Sequence, residues 1–197
     1  MNQKAPSFQI PACQGLQIVE ISQNDFIGKF LVLLFYPSDF TFVCPTELIS
    51  FNEKKHEFDK LNAQVLAIST DSIESHLAWL KTERKEGGVG KLNILLASDK
   101  NKKMSSAYGV LDSKSGVAYR GLFIIDDAQR LRQIIINDIP IGRNVDEVIR
   151  LIQAIQYYDE NGEVCPANWR PGKPSIKQDR QAFKEYMKEH TESSSSQ

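Results

Sequence analysis

The chain has 197 residues, 41% of them hydrophobic and 25% charged, which suits one globular domain or one domain with an added arm. Its formal net charge of -1 gives no overall basic field to draw nucleic acid or an anionic membrane, and no apolar run approaches the ~20 residues that span a bilayer. The cysteines, Cys13, Cys44 and Cys165, are too few and too odd in number for a secreted disulfide framework.

Residues 1–7 are polar and lack a basic region followed by an apolar stretch, so no secretory signal and a cytoplasmic location are expected. An apolar run at 31–36 reads as a buried strand. Pro45, in the favoured first helical position, opens a helix to about residue 61. A strand at 65–69 follows, and Asp71 with Glu74 reads as a capping box for a helix to about residue 85. Further strands are expected at 94–96, 121–125 and 131–136, the last two joined by a short hairpin at 126–130 that lacks a glycine. Asn144 with Glu147 reads as a second capping box, and Val145, Val148, Ile149, Ile152 and Ile155 follow at helical spacing.

After Tyr158 the character changes. Residues 159–177 hold Pro166, Pro171 and Pro174 with Gly162 and Gly172 and read as an extended arm; a short helix at 179–190 and a disordered Ser-rich end follow. The expected organisation is an α/β domain over 1–158, with a sheet of mixed direction, and an arm over 159–197. His56, His76 and His190 lie among polar residues without metal-ligand spacing, so all three are expected at the surface and no metal is implied.

The chemistry concentrates at 37–47, P-S-D-F-T-F-V-C-P-T-E. A strand ends, a short loop follows, and a helix begins near Pro45, which sets Cys44 at a helix N-terminus. Free backbone N–H groups and the helix dipole there favour a thiolate, the nucleophilic form of cysteine. Taken alone, Cys44 reads equally well as a buried structural cysteine. Thr41, three residues earlier, can place a hydroxyl on the same turn, where it can hold a substrate oxygen while bonding the thiolate; it can equally be a plain helix cap.

The pattern P-x-x-x-T-x-x-C formed by Pro37, Thr41 and Cys44 resembles the active-site signature of the peroxiredoxins. D-F-T-F-V-C-P-T-E at 39–47 and G-E-V-C-P-A-N-W at 162–169 resemble the typical two-cysteine branch. Similar stretches, S-H-L-A-W at 75–79, Y-R-G-L-F-I-I-D at 119–126 and I-G-R-N-V-D-E at 141–147, run in family order over nearly the whole chain. The resemblance implies a thioredoxin-like fold with a mixed central sheet flanked by helices and a C-terminal extension. It implies a thiol peroxidase acting on hydrogen peroxide and alkyl hydroperoxides, recycled by thioredoxin or a similar dithiol, with no cofactor, nucleic acid or membrane.

By the same resemblance Cys44 is the peroxidatic cysteine, which becomes a sulfenic acid, and Cys165 is the resolving cysteine of the partner subunit. Thr41 bonds peroxide, Pro37 shields the pocket, and Arg120 stands beside the thiolate, with Glu47 and Arg143 supporting it. The helix holding Cys44 must unwind locally before an intersubunit disulfide can form. A homodimer is expected, with assembly into a decamer. Trp79 is read as core and Cys13 as a spectator.

Gly87–Gly90, G-G-V-G, resembles the loop of readily over-oxidised members, or is simply a flexible loop after a charged helix. Tyr186 is followed by Met187 where those members carry phenylalanine, so intermediate sensitivity to over-oxidation is expected. A holdase chaperone in over-oxidised high-mass form and a redox relay stand as alternative functions; the Cys165 block disfavours a one-cysteine peroxidase.

Overall fold

The computed structural model describes residues 1–191, with side chains through residue 189, so the Ser-rich end and the side chain of His190 lie outside the described residues. By packing the chain divides into two units, Met1–Val145 and Asp146–Gln197.

The first unit opens with an antiparallel hairpin, β1 (Gln9–Gln14) and β2 (Gln17–Ser22), turning at Gly15 and Leu16 with Gly15 at positive φ. Next come β3 (Phe30–Phe35), α1 (Val43–Glu53), α2 (Lys55–Lys60), β4 (Ala63–Ser69), α3 (Ile73–Lys81), β5 (Leu95–Ser98), α4 (Lys103–Ala107), β6 (Arg120–Ile125) and β7 (Leu131–Asn137). α5 (Val145–Asn161) and α6 (Arg180–Thr191) complete the chain.

The strands form one seven-stranded sheet in the order β2-β1-β5-β4-β3-β6-β7. β3, β4 and β5 are parallel to one another; the β3–β6, β6–β7, β1–β5 and β1–β2 pairings are antiparallel. Helices flank this sheet, α2 lying against β4 and α3 against β1 and β5: it is the expected thioredoxin-like fold. β3 sits near the middle, and all six of its residues, F-L-V-L-L-F, are buried, as a strand covered on both faces requires.

The helix after β3 starts two residues before Pro45 and is interrupted at Lys54, so the single expected helix is two, joined by the stacked rings of Phe51 and Phe58 at 5.8 Å. The cap of α3 is Ser72, whose hydroxyl accepts from the Ser75 amide at 3.3 Å, rather than Asp71. Asp71 instead takes the Ser69 hydroxyl at 2.6 Å and the Asp39 amide at 3.0 Å. The helix stops at Lys81, short of residue 85. The glycine missing from the 126–130 hairpin is replaced by Gln129, which takes the left-handed conformation (φ 64°) and whose amide side chain donates to the Gln23 carbonyl at 2.7 Å.

G-G-V-G is a packed turn. Trp79 Nε1 donates to the Gly87 carbonyl at 3.0 Å, and Val89 is wholly buried. A Cβ on Gly88 would stand 1.9 Å from the Thr82 carbonyl oxygen, which is backbone and cannot swing away. Gly88→Ala is therefore expected to destabilise the protein by about 1–3 kcal/mol in urea unfolding; an unchanged midpoint would show that this turn adjusts freely.

Candidate active site

The end of β3 delivers the chain into a loop at 37–42 whose shape is fixed by Asp39. Its carboxylate accepts from the Tyr36 hydroxyl at 2.7 Å and the Ser75 hydroxyl at 2.8 Å, and faces His76 Nδ1 at 2.8 Å. His76 is thus buried, not on the surface, and its Nε2 faces the Ala97 carbonyl at 3.1 Å. That carbonyl can only accept, so Nε2 carries a proton. Burial, then the neighbouring Asp39, raise the Tyr36 phenol well above its ordinary pKa, so it stays a donor. His56, by contrast, is exposed, as expected.

One residue on, Phe40 adopts φ 53° with its ring 5.9 Å from Trp79. A left-handed bulky residue persists only where its surroundings impose it, and here the Asp39 hub lies on one side and the start of α1 on the other. Asp39 and His76 were not singled out from the sequence. The one available signal was a short acid set between Tyr36 and Phe40.

α1 begins at Val43, which puts Cys44 in its first turn, and its N-cap Phe42 makes no side-chain cap bond. No side chain of the cap competes for the free amides of the turn. Cys44 is 0% exposed. Arg120, at the start of β6, points Nη1 at Cys44 Sγ from 3.4 Å and at Glu47 Oε2 from 2.7 Å, while its Nε donates to the Ile139 carbonyl at 2.5 Å.

Glu47 lies one turn after Cys44 on α1. Arg143 grips both of its oxygens, Nε on Oε1 at 2.7 Å and Nη2 on Oε2 at 2.9 Å, and adds its own backbone amide at 2.8 Å. Arg143 Nη1 reaches the Phe35 and Gly121 carbonyls, both at 2.7 Å, tying α1 to β3 and β6. Burial lowers the Arg143 pKa from its ordinary value; Glu47 opposes the shift, Arg120 adds to it, and Cys44 opposes it. The structure thus brings Cys44, Glu47, Arg120 and Arg143 into one buried cluster.

The charges of that cluster are informative. Two guanidinium cations face one carboxylate, and all three side chains are at most 3% exposed. With a neutral thiol the cluster carries +1 in a buried site, where uncompensated charge is costly; with a thiolate it is neutral.

Pro37, Thr41, Phe42, Val43, Arg120, Ile139 and Pro140 line an open, mostly apolar pocket of about 380 Å³ at the same place. Thr41 donates its hydroxyl proton to the Ser38 carbonyl at 2.8 Å; among the described residues no hydrogen bond joins it to Cys44. Pro37 is buried against the loop.

Cys13 is buried in β1, and burial, with the negative charge of Asp39, pushes its thiol up to about 11, so it is a poor nucleophile at neutral pH. Cys165 belongs to the second unit, where its thiol donates to the Ala154 carbonyl on α5 at 3.6 Å. Among the described residues no group of three or more His, Cys, Asp or Glu side chains is placed to hold a metal ion, and no helix is long and apolar enough to cross a membrane.

A family model described as AhpC/TSA matches residues 1–134, and one described as the C-terminal domain of 1-Cys peroxiredoxin matches residues 154–189. The chain is 54% identical over 186 residues to a peroxiredoxin-2 of Bos taurus, covering 94% of each. It is 52% identical to a peroxiredoxin of Caenorhabditis elegans, covering 94% of this chain and 92% of that one. A reduced 2-Cys peroxiredoxin of Plasmodium vivax superposes with a TM-score of 0.92 at 38% identity, over 95% of this chain and 98% of that one.

Proposed function

The chain belongs to the peroxiredoxins of the AhpC/TSA family and is a thiol peroxidase, and from that premise we propose that Cys44 is its peroxidatic cysteine and Cys165 its resolving cysteine. The observation that carries this reading is Arg120 Nη1 at 3.4 Å from Cys44 Sγ, inside a buried cluster that is neutral only when the sulfur is a thiolate.

Peroxide enters the pocket of Pro37, Thr41 and Arg120. The thiolate attacks one peroxide oxygen, the S–O bond forms as the O–O bond breaks, the attacked oxygen keeps its proton as the sulfenic acid, and the departing hydroxide or alkoxide takes a proton from solvent to become water or alcohol. Arg120 donates to the oxygen on which charge develops, the largest contribution a fixed donor makes in such a site. Thr41, whose proton is held by Ser38, turns its oxygen lone pairs to a peroxide O–H. Glu47 and Arg143 hold Arg120 in place.

The sulfenic acid then meets Cys165 of a partner subunit, and thioredoxin or a similar dithiol reduces the resulting disulfide by exchange. Because Cys44 is wholly buried in the first turn of α1, that turn opens before the disulfide forms. Assembly as a homodimer, and of dimers into a decamer, is supported by apolar residues left exposed in this chain: Phe42 at 94%, and Ile134, Ile136, Ile139 and Ile141 along and after β7, an edge strand. Three free thiols in a chain of this length suit a reducing, cytoplasmic setting.

The test is a non-reducing gel after one equivalent of hydrogen peroxide. Wild type shifts to a disulfide-linked dimer, while Cys44→Ser and Cys165→Ser do not form the Cys44–Cys165 link. A Cys44→Ser protein that shifts like wild type would remove Cys44 from the reaction.

A further inference from the structure

The arm around Cys165 is tied to α5 at several points. Val164 and Ile176 form a two-hydrogen-bond bridge at 2.9 and 3.0 Å, which folds the arm back on itself. Glu163 takes the hydroxyls of Ser175 and Tyr157, and the Tyr157 ring lies 4.8 Å from the buried ring of Trp169. Within this frame the Cys165 thiol donates to Ala154, while the carbonyl of Trp169, four residues later, accepts from Arg150 Nη1 at 2.9 Å.

Arg150 and Ala154 are one helical turn apart, so they share a face of α5 and hold the two ends of the segment 165–169 against it. Glu147 fixes the guanidinium from the preceding turn, with Nε on one oxygen at 2.6 Å and Nη2 on the other at 2.7 Å. Such a bidentate fork fixes the plane of the group as well as its place, which a lysine cannot reproduce.

Resting on the reading of Cys165 as the resolving thiol, we propose that Arg150 is its positioning residue: it docks the Cys165–Trp169 segment on α5 and sets a permanent positive charge beside the sulfur. Burial pushes the Cys165 thiol above its ordinary pKa, and Arg150 is the cation that works against this. The acids nearby are all engaged, and Glu147 offsets part of the charge of Arg150. Glu147 is held by Arg150 and feels Arg170 as well, and Glu163 is engaged by Ser175 and Tyr157.

The step served is the second of the cycle. Cys165 loses its proton, the thiolate attacks the sulfenic sulfur, the S–S bond forms as the S–O bond breaks, and the leaving hydroxide takes up the proton as water. Cys165 is oxidised and the sulfenic sulfur reduced, with no further reagent. A charge that raises the thiolate fraction of Cys165 speeds this step and leaves the peroxide step alone.

Rapid-mixing kinetics on the full chain separates the two, since the first step depends on peroxide concentration and the second does not. Arg150→Met is expected to leave the first rate unchanged and to slow the second severalfold at neutral pH, because without the cation less of the thiol is ionised. The deficit is expected to narrow as pH rises and the thiol comes to ionise without the cation, leaving the part that docking contributes. Arg150→Lys, which keeps the charge and loses the fork, recovers part of the neutral-pH rate and falls between Arg150→Met and wild type. No slowing in Arg150→Met, or a slowing equal at all pH values as from simple misfolding of the arm, overturns the proposal. If Cys165→Ser retains the second step, the resolving assignment itself falls and takes this proposal with it.

Discussion

Arg120→Met is expected to lower the rate of Cys44 with hydrogen peroxide by about 10²- to 10³-fold, as removal of a single fixed donor to developing oxygen charge does elsewhere. Arg120 makes three contacts at once: the sulfur, Glu47 and the Ile139 carbonyl. Methionine fills similar space with none of these donors and also removes one of two cations, so the remaining Arg143 and Glu47 are balanced without a thiolate. Arg120→Lys keeps the charge, but one ammonium cannot reach all three acceptors with the geometry of the fork, and a partial loss is expected. Pseudo-first-order peroxide consumption measures both. A loss in Arg120→Met below about threefold would mean that the contact with Cys44 carries little of the reaction.

Glu47→Gln is expected to cost about 3–5 kcal/mol of stability, a larger effect than its nearly unchanged shape suggests. The wild-type carboxylate takes four hydrogen bonds, one from Arg120 and three from Arg143, with every partner out of water. An amide leaves two buried cations without their counter-ion and turns an NH₂ group toward one of the guanidiniums. Arg143 would also lose its hold between α1 and the β3 and β6 carbonyls. Urea unfolding reads the stability, and a midpoint within error of wild type would show that solvent or Cys44 screens the arginines. The peroxide step is expected to fall as well, because Arg120 loses the partner that aims it.

The sequence carried the central strands and the family because both are written in side chains. Runs such as F-L-V-L-L-F can only be buried, and the blocks around Cys44, Arg120 and Cys165 are long and specific. β1 and β2 went unread because Q-I-P-A-C-Q and Q-I-V-E-I-S alternate weakly and the first contains a proline. Pro11 is tolerated because the pairing of β1 with β5 spans just Ala12 and Cys13. α4 is a single short turn, held by Asp99, which takes the amides of Met104 and Ser105 at 3.1 and 2.6 Å. His76 reads as polar and therefore exposed, and nothing local reveals that Asp39, 37 residues earlier, accompanies it into the interior. Most hidden were the anchors of the arginines. The acceptors on Ile139, Phe35 and Gly121 are backbone carbonyls, which have no signature of their own.

The charge balance around Cys44 also says what turnover does to the fold. While the sulfur is an anion it is an electrostatic tether, drawing the first turn of α1 toward Arg120. Once the S–O bond forms, the negative charge leaves with the product, and a protonated sulfenic acid offers the arginine little to hold. The enclosed cluster is then left one positive charge in excess, which repels itself and seeks water. With Cys44 as the proposed site of attack, oxidation is expected to undo this attraction, so that the spent residue is easier to release than the fresh one. On the proposed role of Cys44, the balance of charge would itself signal that the chemistry is finished, to the turn proposed to come loose next.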